Sequence, residues 1–580
     1  MPYNSRVILL LLIGCGRPEP RPLPYWLDTA ADTDTETVDD TATEETTTSP
    51  YLTELIVDGS FEDAGGAGWD AIGCAWAQDA GAISAYDGDW MLTGEQGDCI
   101  AQQDIDLVAQ GFSAAEIDAG GVMLNAAGQL ANLLHEDAFD DQSFARILFR
   151  DSGGALISTL ESILGAGPAW TTRALVAGVP PGTRSLTVEV GGLFRQGQHN
   201  ESAVDAVSVL LQQFSPEPAT ITLQPMLQDY RTDQMKLLWE TDRADEPARI
   251  EWGAAGGPLS EQGSAITTVQ VDTDRYVHRG VVGGLSAGER AAYRACVGEV
   301  CSATAELQAA PGDGAPVRVG WLADNQDNLS NIFELHLAHL QARSPDLVVM
   351  AGDVVQNGGD LDEWASLWWR PITDSGLGAE VPVLVARGNH DLENGYSYAY
   401  ASMPGNGAWY SFRYGDVFFV VLDSNAGASS LQPAQSQANY LQTALARDEA
   451  KDASFRVVVV HAAPFNSVLS NTNPDAVSWG WDDGRDNLVP IFESADVDVV
   501  VAGHYHSYQR GERNGVRYLV IGGGGGSLLP DTVAGPYTEM WAHIEVSWHY
   551  ALMDADQDTL TWTTYGVDDE PIDSFSLSAR

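Results

Sequence analysis

The sequence predicts a multidomain chain in which two β-sandwich domains precede a four-layer α/β/β/α domain. Three observations carry that prediction. The chain has 580 residues, several times the usual ~100–150-residue domain. Residues 52 to about 310 are dominated by short alternating stretches separated by glycine turns, the pattern of antiparallel sandwiches. From Arg318 onward, valine-rich runs alternate with amphipathic stretches such as NLSNIFELHLAHLQAR and QANYLQTALARDEA, which implies βαβ units closed by antiparallel strands.

Composition narrows the function classes. Hydrophobic residues make up 44% and aromatics 9%, enough for packed cores, so any disorder is local. The formal charge is -53, from 82 acidic and 29 basic residues. Such a surface repels nucleic-acid backbones and anionic lipid, so no nucleic-acid binding is expected.

The elements follow in order. MPYNSR supplies a positive start and VILLLLIG an apolar run too short to cross a membrane, which takes ~20 residues. Leu12-Ile13-Gly14-Cys15 resembles the bacterial lipobox, so residues 1–15 are expected to be a lipoprotein signal peptide and Cys15 a lipid-bearing membrane anchor. Residues 16–50 are Pro-rich, then Asp, Glu and Thr, with no basic residue from Asp28 to Pro50; such a segment reads as an extended tether. The expected location is the cell envelope, lipid-anchored, or the outside of the cell. There Cys74 with Cys99 and Cys296 with Cys301 are plausible local disulfides, a pairing that spacing alone leaves open.

Residues 51–214 resemble galactose-binding-like, carbohydrate-binding-module sandwiches in an opening DGSFE…GW, a central FRDSGGALIST and a closing PPGTRSLTVEV…DAVSVLL. That resemblance implies a possible glycan partner, with Trp69, Trp76 and Trp90 expected to be exposed for stacking on sugar rings; an architectural spacer with core tryptophans is the competing reading. Residues 216–310 resemble the fibronectin type III-like domain that precedes the catalytic domain of purple acid phosphatases, on Trp239 with Thr241 and Leu285 with Tyr293.

Residues 316–580 carry the chemistry. Five hydrophobic runs end on metal-type ligands: VRVGWLAD at Asp324, LVVMAGD at Asp353, VPVLVARGNH at Asn389 and His390, FRVVVVH at His461, and VDVVVAGHYH at His504 and His506. Runs of this kind read as strands buried on both faces, and ligands of open α/β sheets collect beyond the carboxyl ends of strands. Carboxylate, amide and imidazole delivered there from several strands describe a dinuclear metal site. Phosphoester hydrolysis needs charge neutralised on the phosphoryl group and a nucleophile strong at neutral pH, and two divalent ions supply both.

Asp324, Gly352-Asp353, Gly388-Asn389-His390-Asp391, His461 and Gly503-His504-Tyr505-His506 stand in the order of the calcineurin-like metallophosphoesterase family, and GHYHSYQR and HAAPFNS look most like its purple acid phosphatase branch. The resemblance implies that Asp324, Asp353 and His506 hold one metal, and Asp353, Asn389, His461 and His504 the other. It assigns His390 to transition-state stabilisation and protonation of the leaving oxygen, with Asp391 orienting it. The implied activity is hydrolysis of phosphate mono- or diesters outside the cytoplasm through a metal-bridging hydroxide. A surface glycan-binding lipoprotein with a degenerate phosphatase-like domain is the alternative.

Two departures qualify the resemblance. Where the family often has Asp-x-His, Asp324 is followed by Asn325 and Gln326, which makes the Gln326 carbonyl oxygen a candidate ligand. Where the purple enzymes carry a tyrosine after the bridging aspartate stands Gln356. A neutral amide does not stabilise ferric iron, so two divalent ions (Mn, Zn or Fe(II)) and no purple colour are expected. Asn357 and Arg387 are further candidates for the phosphate pocket, and Trp479, Trp481 and Arg485 for contact with the organic part of a substrate. His336 and His339 are expected on a solvated helix face, and His135, His199, His278, His543 and His549 in structural roles. Gly522 to Gly526 lack the Lys-Ser/Thr of a P-loop and suggest close backbone approach near the site.

Overall fold

The structure, a computed structural model, describes residues 50–580 apart from 64–65, 67, 81–82, 133–140, 166–168, 195–198, 392–394, 427–435, 470–479, 530 and 533–535. The signal peptide, Cys15, the tether up to residue 49, His135 and Trp479 lie outside the described residues. Pro50–Arg580 forms one compact unit. Among the described residues no helix is long and apolar enough to cross a membrane.

The N-terminal half is built from sheets. A nine-stranded sheet runs Asp70–Ile72, Cys99–Asp106, Ser185–Leu193, Gln142–Arg150, Leu156–Ser162, Ser264–Asp272, Arg275–Gly283, Gln234–Thr241, Ile221–Tyr230. It draws strands from both regions expected as separate sandwiches, joined where Leu156–Ser162 pairs in parallel with Ser264–Asp272. A five-stranded sheet containing Val122–Asn132 and Ser202–Gln213 lies against it. Disulfides join Cys74 to Cys99 and Cys296 to Cys301. Trp69 corrects the expectation of an exposed stacking residue. It is buried, rests on Phe61 at 5.2 Å between ring centroids, and donates its indole N–H to Asp58 O at 2.9 Å. Trp76 and Trp90 are half-buried.

Two mixed sheets form the C-terminal half. The six-stranded one runs Val383–Val385, Leu347–Met350, Val317–Leu322, His549–Ala555, Thr559–Gly566, Pro571–Ser578, its first three strands parallel. The seven-stranded one includes Val417–Val421, Phe455–Ala462, Val499–Gly503 and Val516–Ile521 as parallel neighbours. Side-chain alternation along one strand makes the layering visible. Val417, Phe419 and Val421 enter the core shared with Val319 and Trp321, whereas Phe418 and Val420 pack on the helical residues Leu441, Ala444 and Phe492. Trp321 faces Phe419 across the sheets at 6.3 Å. On the other side of the six-stranded sheet lies the helix Ile332–Arg343, with Leu337 and Leu340 in the same core as Val348. The order is therefore helices, sheet, sheet, helices.

Candidate metal centre

Each expected ligand lies at or just beyond a strand end. Asp324 follows Val317–Leu322, Asp353 follows Leu347–Met350, Asn389 follows Val383–Val385, His461 is the penultimate residue of Phe455–Ala462, and His504 follows Val499–Gly503. Three ligands turn through left-handed backbone, with φ 58° at Asp324, 51° at Asp353 and 71° at His504. Such conformations cost non-glycine residues of order 1–3 kcal/mol each and persist where surrounding structure enforces them. Glycines provide the room: a Cβ at Gly388 would sit 2.1 Å from Asp353 Oδ1, and one at Gly352 2.5 Å from His461 Nδ1.

The side chains converge. Asp353, His461 and His504 offer ligand atoms all within 4.8 Å of one another, and so do Asp324, Asp353 and His506. The two sets share Asp353. Asn389 Oδ1 lies 3.1 Å from His461 Nε2 and joins the first set. Gln326 sits at the second, its Nε2 3.4 Å from Asp353 Oδ2 and 3.3 Å from His506 Nε2. Its buried Oε1 has no hydrogen-bond partner among the described residues. A half-turn of the amide puts that oxygen on the ligand side, the orientation a cation requires. Carboxylate, carbonyl and imidazole donors grouped around a shared carboxylate suit a pair of divalent ions.

Backbone carbonyls select the imidazole atom each ligand presents. His461 Nδ1 donates to Ala351 O at 2.8 Å and His506 Nδ1 to Ser527 O, which leaves both Nε2 atoms for a cation. His504 turns Nδ1 toward the site, 3.3 Å from His461 Nε2. His390 Nδ1 donates to Gln356 O at 2.7 Å, freeing Nε2.

Charge complementarity is strong. Burial would push His461 down, but the Asp353 carboxylate at 3.2 Å outweighs it and raises the ring to about 10. Burial of His506 is likewise outweighed by Asp324, and the ring rises to about 9. Burial and then the His461 charge lower His504 to about 4. Asp353, which burial would raise, is held down to about 2 by His461. The carboxylates thus recruit protons where cations would sit.

Asp391 has a different part from the one expected. Its Oδ2 accepts the N–H of Asp353 at 3.0 Å and of Gly388 at 2.7 Å, and its Oδ1 accepts those of Val354 at 2.8 Å and Val355 at 3.3 Å. With both oxygens so engaged, the carboxylate clamps two ligand loops, and the His390 ring is oriented by the Gln356 carbonyl instead. Burial and the Asp353 charge push Asp391 up to about 7 against those donors.

The glycine run is a strap. Gly524 N–H donates to Ala323 O at 2.8 Å and Gly526 N–H to Asp324 O at 2.7 Å. Outside it, His336 Nδ1 meets Gly524 O at 3.3 Å and Trp548 Nε1 donates to Gly526 O at 2.8 Å. His336 is therefore buried, not solvated as expected, because its helix packs this strap against the sheet. His339 is half-buried. His278 fits its structural reading, buried between Thr241 and Thr268 hydroxyls at 2.6 and 2.9 Å. Asn357 caps its own turn through Gly359 N–H. Arg387 is buried with its guanidinium 3.7 Å from the Tyr398 ring centroid. Trp481 N–H and Arg485 Nη1 bind the carbonyls of Ala463 and Pro464.

Sequence reasoning passed over Asn425, whose amide donates to Gly388 O at 3.0 Å, and Asn325, whose amide reaches Val354 O at 3.0 Å. Asn425 carried the same signal as the ligands, a polar residue just beyond the valine-rich strand Val417–Val421. Asn325 adjoins Asp324, and nothing local distinguishes it.

Comparison with known proteins bears on the family of the C-terminal part. Residues 317–508 match the family model described as Calcineurin-like phosphoesterase. Purple acid phosphatase 1 of Ipomoea batatas is 24% identical over 233 residues, 36% of this chain and 46% of that relative. Probable purple acid phosphatase 20 of Arabidopsis thaliana is 23% identical over 327 residues, 50% of this chain and 71% of that relative. The chain spans about half the length of the first of these. In fold it is similar to purple acid phosphatase PPD1 from yellow lupin (Lupinus luteus) seeds, with a TM-score of 0.53 at 16% identity over 83% of this chain and 93% of that one. The C-terminal part of this chain is thus a calcineurin-like metallophosphoesterase domain with purple acid phosphatase homologues.

Proposed function

We propose that residues 316–580 form a dinuclear-metal hydrolase of phosphate mono- or diesters that works outside the cytoplasm. The observation that carries this reading is the sharing of Asp353 by two ligand sets, each within 4.8 Å. Asp324, Asp353, His506 and the Gln326 carbonyl would hold one divalent ion; Asp353, Asn389, His461 and His504 would hold the other. Divalent ions held there (Mn, Zn or Fe(II)) would supply neutralisation of phosphoryl charge and a strong nucleophile from water. His390 delivers a proton from Nε2 to the leaving oxygen while Gln356 O keeps Nδ1 fixed. Asp391 and the glycine strap keep the ligand loops in register.

The same proposal places the lipid anchor at Cys15, the tether at 16–50, a glycan-binding-like sandwich at 51–214 and a fibronectin type III-like unit at 216–310. Burial of Trp69 removes one of the three aromatics that favoured glycan binding as the main activity. Metal analysis of the purified protein, with turnover of p-nitrophenyl phosphate and bis(p-nitrophenyl) phosphate, tests the catalytic reading. Loss of both metals and of turnover in Asp353→Asn is expected. Full turnover in that variant would sink it.

A further inference from the structure

We propose that Trp548 and His336 are positioning residues for one of the two metal ions only, the one expected on Asp324, Gln326 and His506, and that they act on it through the glycine strap. The inference rests on the dinuclear reading above. The strap, residues 522–527, touches that ligand set at two points. Gly526 N–H donates to Asp324 O at 2.7 Å, and Ser527 O accepts the His506 Nδ1 proton. The fit is tight, since a Cβ on Gly526 would lie 2.9 Å from Asp324 O and 3.1 Å from His506 Cε1. Just past the strap, Leu529 N–H donates to His506 O at 3.1 Å.

Consecutive glycines do not hold such a position by themselves. Glycine loses more backbone freedom on ordering than any other residue, and the segment offers only main-chain groups to be held by. Four partners take its carbonyls in turn. Gly523 O accepts His549 N–H at 2.8 Å, Gly524 O faces His336 Nδ1 at 3.3 Å, Gly525 O accepts Leu329 N–H at 2.9 Å, and Gly526 O accepts the Trp548 indole N–H at 2.8 Å.

Two of those four partners are side chains, and the fold fixes both. His336 is buried on the helix Ile332–Arg343. Burial lowers its ring to about 3, so the imidazole stays neutral and donates from Nδ1. Trp548 immediately precedes His549–Ala555, the strand antiparallel to Val317–Leu322. The start of one strand therefore lies beside the end of the other, where Asp324 leaves the sheet.

The other ligand set is held by different parts. His461 donates to Ala351 O at 2.8 Å, and Asp391 and Asn425 hold Gly388. The shared Asp353 is held by Asp391. Among the described residues the strap makes no hydrogen bond to Asn389, His461 or His504. The Asp324 carboxylate does accept His504 N–H at 2.9 Å. That N–H, however, stands at the end of Val499–Gly503, which is paired on both sides by neighbouring strands. Loosening the strap displaces Asp324 and His506 first, so the ion they hold weakens alone.

The test titrates the chelator-stripped full chain with Mn2+ and follows the free ion by its electron paramagnetic resonance signal, with two binding steps expected in the parent. Trp548→Phe keeps a ring and removes the N–H. One step should weaken about tenfold, the scale typical of partners that orient ligands. The other should change by less than about twofold, as for an independent site. His336→Leu should weaken the same step, and His336→Asn, whose amide replaces the Nδ1 donor, should recover most of the loss. In His506→Ala, adding Trp548→Phe should leave the remaining step unchanged. A general loss of packing would weaken both steps together. Equal weakening of both, or no change in either, would overturn the inference and leave the dinuclear reading standing. Should Trp548→Phe not fold, the His336 pair decides by the same outcomes. Fewer than two Mn2+ per parent chain would overturn both.

Discussion

Asp391 Oδ2 accepts the backbone N–H of Asp353 at 3.0 Å, so the carboxylate shared by both ligand sets stands on a second, fully buried carboxylate. That second acid accepts three further N–H groups, from Gly388, Val354 and Val355. It ties the loop bearing Asp353 to the loop bearing Asn389 and His390.

Replacing Asp391 with asparagine keeps the shape but turns one acceptor into a donor aimed at N–H groups. Leaving buried donors unmatched costs ~1–3 kcal/mol. Denaturant unfolding should register that loss, and metal analysis should show both ions depleted. An Asp391→Asn protein with full metal content and parental stability would contradict the clamp.

Metal uptake should release protons. In the metal-free site His461 and His506 are raised to about 10 and about 9 by Asp353 and Asp324, and both must be neutral to bind a cation. Calorimetry in buffers of different ionisation heat should therefore report proton release near pH 7, and affinity should climb with pH.

The same shifts predict how metal-free stability depends on pH. A histidine raised in the folded state binds more protons folded than unfolded. Its contribution is complete below ~6.5, the unfolded value, and is lost as pH rises through about 9 and 10. Melting of the chelated protein should fall across that window, and melting of the metal-loaded protein should not track it.

Gly388→Ala should disable the site without touching a ligand. The added Cβ would lie 2.1 Å from Asp353 Oδ1, so one loop must shift. Overpacking of this kind typically costs ~1–3 kcal/mol. Metal content and unfolding free energy measured on the same preparation would both fall.

His506→Ala should separate the two ions. His506 belongs to the set with Asp324, whereas His461 and His504 belong to the other. Metal analysis should find about one ion per chain where the parent holds two, and loss of both or of neither would contradict the assignment.

The candidate ligands were legible because their signal is local. A valine-rich run that stops at Asp353 or His461 announces a buried strand and its end, and strand ends of parallel sheets share one edge. Asn425 obeyed the same rule, with the same head group as Asn389, and was passed over because it stands outside the GNHD and GHYH words. His336 and Trp69 went the other way: each has polar or exposed-looking neighbours in sequence, yet each is buried by partners from distant segments, Gly524 and Phe61 among them.

Residue pattern alone therefore pointed to buried strands that end on candidate ligands, since strand burial and donor type depend on side-chain chemistry and a period of two. Tertiary structure decided the rest: which carbonyl takes each imidazole N–H, what Asp391 holds, and that one nine-stranded sheet joins the two β regions. Those contacts link residues as far apart as Ala351 and His461. The backbone partner of each such bond leaves no mark in the identity of its residue, so only the folded chain reveals which one a side chain meets.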